Sequence, residues 1–429
     1  MKIYNLFLRR VRITTTALVV SLTLLPAISS AASFGPELSL AEAEAIAVQG
    51  DAMLSGLNAK AEALDEASVA DGQLPDPKAR FTLFNFPTDT FDRKQEGITQ
   101  LRFGFSQTVP RGDTLALRSK RTQARASAER LKTDDFTNKL QREVRTSWLE
   151  TYYWINAEKV VLDNIDLFKQ LVDITESQFA AGRRNQQDVI RAELESGLLE
   201  DRLTHIQQQQ EQARSNLYRW IGSEALRELT KDLPALEELP PLLQIRNGLA
   251  LHPALRMQDA NIRTSQHSVS IAREAYKPAW TFNLDYGVRS GDNPDGTKRA
   301  DFLAAGVSLD VPLFTDKRQD RRLAAAQRLE SAAKYNFDDK LRDMETKLEL
   351  NYSKWLRLGE RLRRYQEKLI DQASENSVAS LSAYQNDTSD FPTLMRAKIT
   401  ELNTKLKSLR LEIDYAKAQA NLLYLVGEK

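Results

Sequence analysis

Two long stretches of the sequence almost lack glycine and proline, and they constrain the fold more than any other feature. Between Gly112 and Gly182 the chain runs for 69 residues with neither residue type. Between Pro312 and Pro392 only Gly359 interrupts a similar stretch. Because glycine and proline disfavour helix interiors, each stretch predicts one helix, about 100 Å long at about 1.5 Å per residue. Few helices of compact domains are that long, so the sequence predicts a rod or a tube.

Side chains of one helix face recur at steps of three and four residues in both stretches. In the first stretch this stripe is Val161, Ile165, Phe168, Val172, Thr175 and Phe179. In the second it is Leu341, Met344, Leu348, Tyr352, Trp355, Leu358, Leu362, Tyr365 and Leu369. Such spacing is typical of the seam between packed helices, and the remaining faces carry charge. The pattern therefore predicts long helices that pack lengthwise against each other.

The sequence also indicates where these helices begin and turn. Asp113 and Asp316 each follow a predicted turn and are suited to cap a helix N-terminus. Gly182 is suited to a tight reversal of the chain. We therefore predict two long helical hairpins, over residues 113–222 and 316–427.

An internal duplication relates the two halves of the chain, with an offset of about 200 residues. The matching positions are Val109 and Pro110 with Val311 and Pro312, Trp154 with Trp355, and NLYRWIG at residues 216–222 with NLLYLVG at residues 421–427. We assign the first repeat to residues 33–222 and the second to residues 247–429. A linker at residues 223–246 separates them and contains Pro234, Pro240 and Pro241.

The first 32 residues predict a secretory signal peptide. Four basic residues, Lys2, Arg9, Arg10 and Arg12, precede an apolar stretch at residues 17–27. That stretch is shorter than the roughly 20 residues that a transmembrane helix needs. Without these four residues the formal net charge falls from +1 to −3, so no basic field indicates a nucleic-acid partner. The absence of cysteine excludes disulfides and thiol catalysis, and it suits an exported bacterial protein.

Four segments alternate apolar residues with small or polar ones, at residues 79–86, 100–110, 280–288 and 302–311. Segments of about ten residues with this period are typical of transmembrane β-barrel strands, although a half-buried soluble sheet gives the same alternation. The signal peptide and the neighbouring long helices favour the barrel. Polar connections at residues 87–98 and 289–300 are predicted to face outside the cell.

Four strands are too few to close a membrane barrel, since the smallest known barrels have about eight. An open sheet edge in lipid would leave backbone groups unpaired. Several copies of the chain must therefore share one barrel. Two copies would supply eight strands and three would supply twelve, and the residues alone do not choose between these numbers.

No pattern in the sequence is typical of a catalytic, cofactor or metal site. His205, His252 and His267 are far apart, and no His or Cys stands at ligand spacing. No glycine-rich phosphate loop is present. We therefore predict that the protein is not an enzyme and has no cofactor. Each histidine is interpreted as solvated or hydrogen-bonded rather than as a metal ligand.

Taken in order, these elements resemble the outer-membrane efflux protein family typified by TolC, over essentially the whole chain after residue 32. The resemblance is carried by the duplicated order of elements, the two Val-Pro pairs, FAAG at residues 179–182 followed by Asp188 and Val189, and Gly222 and Gly427. It implies a mixed α and β membrane protein that forms a homotrimer. Each protomer would give four strands to a twelve-stranded outer-membrane β-barrel. Long helical hairpins would form a periplasmic tunnel of twelve helices, with an equatorial belt built partly from the linker.

The resemblance also implies a function, that of a passive exit duct in a tripartite efflux or type I secretion system. The implied partners are outer-membrane lipid, a periplasmic membrane-fusion adaptor that opens the duct, and an inner-membrane efflux pump that drives export. The segment LPDP at residues 74–77 is similar to the heavy-metal efflux branch, although proline before a strand is also a general way to end a helix. The alternative is a periplasmic coiled-coil scaffold with a small soluble sheet.

In this family, acidic residues at the tunnel tip form rings that narrow the periplasmic entrance. The corresponding gate candidates here are Asp188, Arg191, Asp387, Asp390 and Arg396, with Gly182 in the hairpin turn. Asp188 matches the acidic position of the first tip. Thr393 and Arg396 stand where the second tip of the family commonly has aspartates. Threefold symmetry would bring three copies of each side chain together, and like charges would repel each other in a closed ring.

Overall fold

Two similar sets of helices and strands follow each other along the chain in the computed structural model, which describes residues 36–183 and 185–427. The predicted signal peptide lies outside the described residues. The first set is α1 (Leu40–Gly50), α2 (Ala52–Asp71), β1 (Lys78–Phe84), β2 (Gln100–Val109), α3 (Thr114–Ala180) and α4 (Gln186–Ile221). The second is α5 (Leu242–Gly248), α6 (Pro253–Glu274), β3 (Ala279–Arg289), β4 (Phe302–Asp310), α7 (Gln319–Arg364), α8 (Ile370–Gln385) and α9 (Phe391–Val426).

The two long helices predicted from the sequence are confirmed. Helix α3 has 67 residues. Helices α7 and α8, of 46 and 16 residues, are joined by a 5-residue π-helical turn at Tyr365–Leu369 and together match that length. Helices α4 and α9 have 36 residues each and return along the half of these helices that is farther from the strands. The other half is flanked by α2 and α6, so four helices lie side by side in the order α2, α3, α6, α7.

Two predicted boundaries are wrong, and local backbone geometry explains both. The first strand ends at Phe84 rather than at residue 86, because Asn85 has a φ of 53° that an extended strand does not accept. The second hairpin begins at Gln319 rather than at Asp316. A turn precedes it, in which the carbonyl of Thr315 accepts the backbone N–H groups of Arg318 and Asp320, so Asp316 is not the cap.

The four strands form one antiparallel sheet in the order β1-β2-β3-β4. Its register confirms the predicted alternation, because apolar residues of different strands face each other in rows. One such row consists of Phe81, Phe103, Tyr286 and Leu303. In the next row Arg80 forms an ion pair with Asp285, at 2.9 Å, across Gly104. A Cβ atom on Gly104 would lie 2.5 Å from the Asp285 carboxylate, so the pair requires glycine there.

Both edges of the sheet are open within the described residues. Strands β1 and β4 each pair on one side only, and all nine residues of β4 are exposed. Exposed apolar side chains also follow β4, namely those of Val311, Leu313 and Phe314. An edge of this kind presents unpaired backbone groups to any strand that can add to it.

The core lies in clusters along the helices rather than in one centre. At the middle of α3, Trp148 is fully buried and its indole N–H donates to the carbonyl of Leu38. The linker packs at the same level, where the Tyr152 hydroxyl donates to the carbonyl of Lys231 at 2.8 Å. In the described part of the chain, no helix has both the length and the hydropathy of a membrane-spanning helix.

A buried histidine connects the start of α6 to the end of α9. His252 is 2% exposed and caps α6, where Nδ1 accepts the backbone N–H of Ala254 at 3.2 Å. Because Nδ1 is an acceptor, the proton of the neutral ring lies on Nε2, which donates to the carbonyl of Tyr424 at 2.9 Å. Burial lowers the pKa of His252 below its usual value, against the smaller opposing effects of that carbonyl and of Asp135. The nearby Lys139 and Lys340 add to the lowering.

This arrangement predicts a pH-dependent stability. The unfolded chain takes up the His252 proton at its ordinary pKa of 6.5, whereas the folded chain does so only at lower pH. The stabilisation that neutral, buried His252 provides is therefore complete above pH 6.5 and is lost as the pH falls below that value. The thermal midpoint should fall between about pH 8 and about pH 5, and His252→Asn, which keeps a capping side chain, should reduce that fall. An undiminished fall in His252→Asn would contradict this explanation.

Candidate functional site

The turn between α3 and α4 and the turn between α8 and α9 lie side by side, at the end of the helices farthest from the sheet. A cleft of about 370 Å³ lies between them, lined by Gly182, Arg183, Asn185, Asp188, Asp390 and Pro392. The structure thus brings together Asp188 and Asp390, which are distant in sequence. We refer to this end of the molecule as the tip.

The first turn of the tip depends on a glycine. Gly182 has a φ of 72°, in the left-handed region that other residues avoid, and its N–H donates to the carbonyl of Phe179 at 2.8 Å. Helix α4 begins four residues later, with Asp188 in its first turn. A carboxylate at this place is favoured by the positive end of the helix dipole.

The second turn places Asp390 at the N-cap of α9. Its carboxylate accepts the backbone N–H of Thr393 at 3.0 Å, and Pro392 occupies the first turn of the helix. Hydrogen bonds from Thr393 hold the pKa of Asp390 below its usual range, and the charge of Arg396 adds to this. Asp387 lies three residues earlier with a φ of 54°.

Side chains that the sequence analysis did not propose connect the two turns. The Tyr384 hydroxyl of α8 donates to the Gln178 side chain of α3 at 2.9 Å. Tyr384 also packs edge-on against the fully buried ring of Phe391, with ring centres 5.7 Å apart. Both rings belong to one apolar cluster with Phe168 of α3. Gln178 lies among other polar helix residues, so no sequence signal distinguished it.

The remaining gate candidates are not in the lining of the cleft. Arg191 and Arg396 are exposed, on the helices α4 and α9 that leave the tip. Arg396 acts on Asp390 only through its charge. In the described residues, no group of three or more potential ligand side chains is arranged to hold a metal ion.

The capping role of Asp390 can be separated from its charge. Asp390→Ala removes the acceptor of the Thr393 N–H and should lower the denaturant midpoint of unfolding. Asp390→Asn loses the charge but retains a good capping side chain, so its midpoint should stay close to that of the parent. Denaturant unfolding of both variants measures the difference. Equal losses would show that the charge, rather than the cap, stabilises this turn.

No protein-family model and no curated protein sequence matches the chain. Solved structures do match in fold. The outer-membrane channel OprN is 19% identical, with 91% of this chain and 90% of that chain covered and a TM-score of 0.75. CusC, whose structures concern folding and transmembrane channel formation, is 14% identical over 92% and 94% of the two chains, with a TM-score of 0.75. The open state of the outer-membrane channel MtrE of Neisseria gonorrhoeae is 15% identical over 90% and 88%, with a TM-score of 0.71.

These identities are too low to separate branches of a family, so the heavy-metal branch suggested by residues 74–77 stays a prediction. The likeness nevertheless extends over both repeats, the sheet and the linker. Long helices, a four-stranded sheet and an intervening linker, in this order and over nine-tenths of the chain, give this protein the fold of the TolC family of outer-membrane efflux channels.

Proposed function

We propose that the protein is the outer-membrane exit duct of a tripartite efflux or type I secretion system. The duct is a passive channel in the outer membrane that extends into the periplasm, is opened by a periplasmic adaptor and is driven by an inner-membrane pump. The observation that carries this proposal is the sheet, which has an apolar face and two open edges. Long helices continue from the strands and end at a charged tip.

The exposure of the apolar face supports a membrane location. About half of each large side chain on this face is exposed, including Phe103, Phe105, Phe282 and Leu284. A soluble sheet buries such a face against helices or against another sheet. The opposite face carries Arg80, Asp285 and other polar side chains, as expected for a water-filled lumen. The scaffold alternative requires a soluble sheet, and this exposure argues against it.

The open edges support a trimer. Strand β4 of one copy would pair with β1 of the next, which satisfies the backbone groups of both edges. Three copies would give the twelve strands implied by the family. Light scattering of the detergent-extracted protein should therefore give the mass of a trimer. A folded, membrane-inserted monomer would overturn the shared barrel.

At the tip, threefold symmetry would place three clefts around the axis and bring copies of Asp188 and Asp390 near each other. We propose that these carboxylates, with Arg191, Asp387 and Arg396 nearby, form the periplasmic gate. Like charges near each other repel, so the loss of one compensating positive charge should shift a closed-to-open equilibrium toward the open state. The link between Tyr384 and Gln178 would hold the two turns of one protomer together during this change.

The outer surface of α4 supports the assignment of an adaptor as partner. Ile190, Leu194 and Leu198 follow each other at steps of four residues close to the tip, and each is more than half exposed. Such a stripe on one helix face is the usual docking surface for a second helix. A periplasmic adaptor that presents helices to this stripe would contact the hairpin next to the gate. The pump would then act through the adaptor.

Conductance measurements test the duct and its gate together. The purified protein should give discrete channels in planar bilayers, and it should remain in the outer-membrane pellet after carbonate extraction. Arg396→Ala should raise single-channel conductance because it removes a positive charge beside Asp390. Asp188→Asn should weaken block by cations added at the tip side, and Gln187→Ala is the matched control. A protein that carbonate extracts and that forms no channels would support the scaffold instead.

A further inference from the structure

A second charged cavity lies at the opposite end of the helices, where the strands meet them. It has a volume of about 520 Å³ and lies between the ends of β2 and β3, the last turns of α6 and the first turns of α3 and α7. Four arginines line it, namely Arg111, Arg118, Arg318 and Arg322. Among the described residues, no carboxylate belongs to its lining. This concentration of positive charge contrasts with the nearly neutral chain as a whole.

Three of these guanidinium groups have no acidic partner within the described residues. Arg111 is held in place, since it donates to the carbonyl of Ala275 at 2.7 Å and lies 3.7 Å from a carboxylate oxygen of Asp310. The side chains of Arg118, Arg318 and Arg322 form no ion pair in the part of the chain that is described. Elsewhere this structure pairs many arginines with carboxylates, as in Arg145 with Glu44. The cavity thus holds unneutralised positive charge.

The lining also contains a buried amide whose oxygen lacks a partner. Gln319 is 4% exposed, and its Oε1 atom has no hydrogen-bond partner in the part of the chain that the structure describes. A buried polar group without a partner is costly, so such a group needs an explanation. Gln319 and Thr114, which are the first residues of α7 and α3, both line the cavity, so two helix N-termini add positive potential.

The cavity lies on the polar side of the sheet. Thr108 of β2 lines it, and the Thr108 hydroxyl lies 3.2 Å from that of Thr281, in the polar row of the sheet. Asp310, beside Arg111, follows Ser308 on the same face of β4. In the proposed duct this is the side of the lumen, at the level where the barrel joins the helical tunnel.

We propose that this cavity is a transit site for the anionic group, a phosphate or a carboxylate, of cargo that passes through the duct. The inference rests on the proposed function, because it takes the polar side of the sheet as the lumen. Guanidinium groups suit both anions, since their paired N–H donors match two oxygens of either group. Three copies would form a basic ring at the base of the barrel. Such a ring favours anions and disfavours cations of similar size.

Inorganic tripolyphosphate is a suitable probe, and the unpaired arginines are suitable positions for substitution. Arg118→Gln and Arg322→Gln remove exposed side chains without ion-pair partners, so the fold should be retained. Calorimetric titration of the detergent-solubilised protein should show tripolyphosphate binding that the double variant weakens by about tenfold. Arg328→Gln, on the same helix but outside the lining, should bind as the parent does. In planar bilayers the double variant should also shift the reversal potential toward higher potassium over chloride permeability.

Four results would overturn the site. The first is equal binding by the parent and the double variant. The second is an equal loss in Arg328→Gln, which would indicate unspecific attraction to a basic surface. The third is displacement of tripolyphosphate by short-chain phosphatidylglycerol but not by inorganic phosphate, which would assign the cavity to a lipid headgroup. The fourth is an unchanged ion selectivity of the channels in the double variant, which would refute the site but not the duct. Tripolyphosphate binding by a protein that forms no channels would instead refute the proposed duct.

Discussion

Replacing Leu284 by Arg should destabilise the membrane-inserted protein by about 2 to 4 kcal/mol, if this position lies near the bilayer midplane. Leu284 is 48% exposed on the apolar face, between Phe105 and Ala305 of the neighbouring strands. An arginine there would place a charge in hydrocarbon. Denaturant unfolding in lipid vesicles measures the loss, and the amount of trimer in the outer membrane should fall with it.

The adjacent residue provides the matched control. Asn283 faces the other side of the sheet, between Ser106 and Gly306, so Asn283→Arg should be tolerated in a water-filled lumen. Strand β4 allows the same comparison, with Val307→Arg expected to be harmful and Ser308→Arg to be mild. Equal damage on both faces would argue for a soluble sheet and against the barrel.

Truncation of Phe391 at the tip should have an effect of similar or greater size. Phe391 is fully buried, packs edge-on against Tyr384 and belongs to the apolar cluster that joins the two turns. Phe391→Ala should therefore cost about 3 to 5 kcal/mol through lost burial and the cavity that remains. Phe391→Leu retains most of the apolar volume and should cost much less. Thermal unfolding measures both costs.

The Phe391 variants also test whether the cluster holds the two turns together. In Phe391→Ala, limited proteolysis should cut first near the tip, while the region around the buried Trp148 stays protected. A general loss of protection along all helices would show that the cluster stabilises the whole bundle instead. A cost no larger than that of Phe391→Leu would contradict the proposed role of this ring.

The course of the helices and strands was predictable because simple local rules determine it. Gly112 and Gly182 both adopt a positive φ, of 44° and 72°, and they bound α3 almost to the residue. At Gly112 a Cβ atom would also lie 1.9 Å from the carboxylate of Glu274. Both the backbone conformation and the lack of space therefore require glycine there. Period two predicted which strand residues share the apolar face, since a sheet with two different faces fixes its own register.

The sites were less predictable because they depend on side chains that meet across long sequence distances. The repeat predicted that the two turns correspond, but not that Tyr384 would contact Gln178, 206 residues away. Arg191 was proposed for its proximity to Gly182 in sequence, yet helix α4 carries it away from the cleft lining. The basic cavity was missed for a related reason. A net charge near zero does not reveal that arginines from two helices, and from the turns that precede them, converge on one cavity.

The absence of cysteine makes a direct test of topology possible, because single cysteines can be introduced without background labelling. Lys298→Cys lies in the exposed connection between β3 and β4, and Gln187→Cys lies at the exposed start of α4. The measurement is labelling of both variants in intact cells by a maleimide reagent too large to cross the outer membrane. If the protein is an outer-membrane duct, residue 298 should be labelled in intact cells and residue 187 only after the outer membrane is permeabilised. Protection of both residues until permeabilisation would place the whole molecule in the periplasm and contradict the duct.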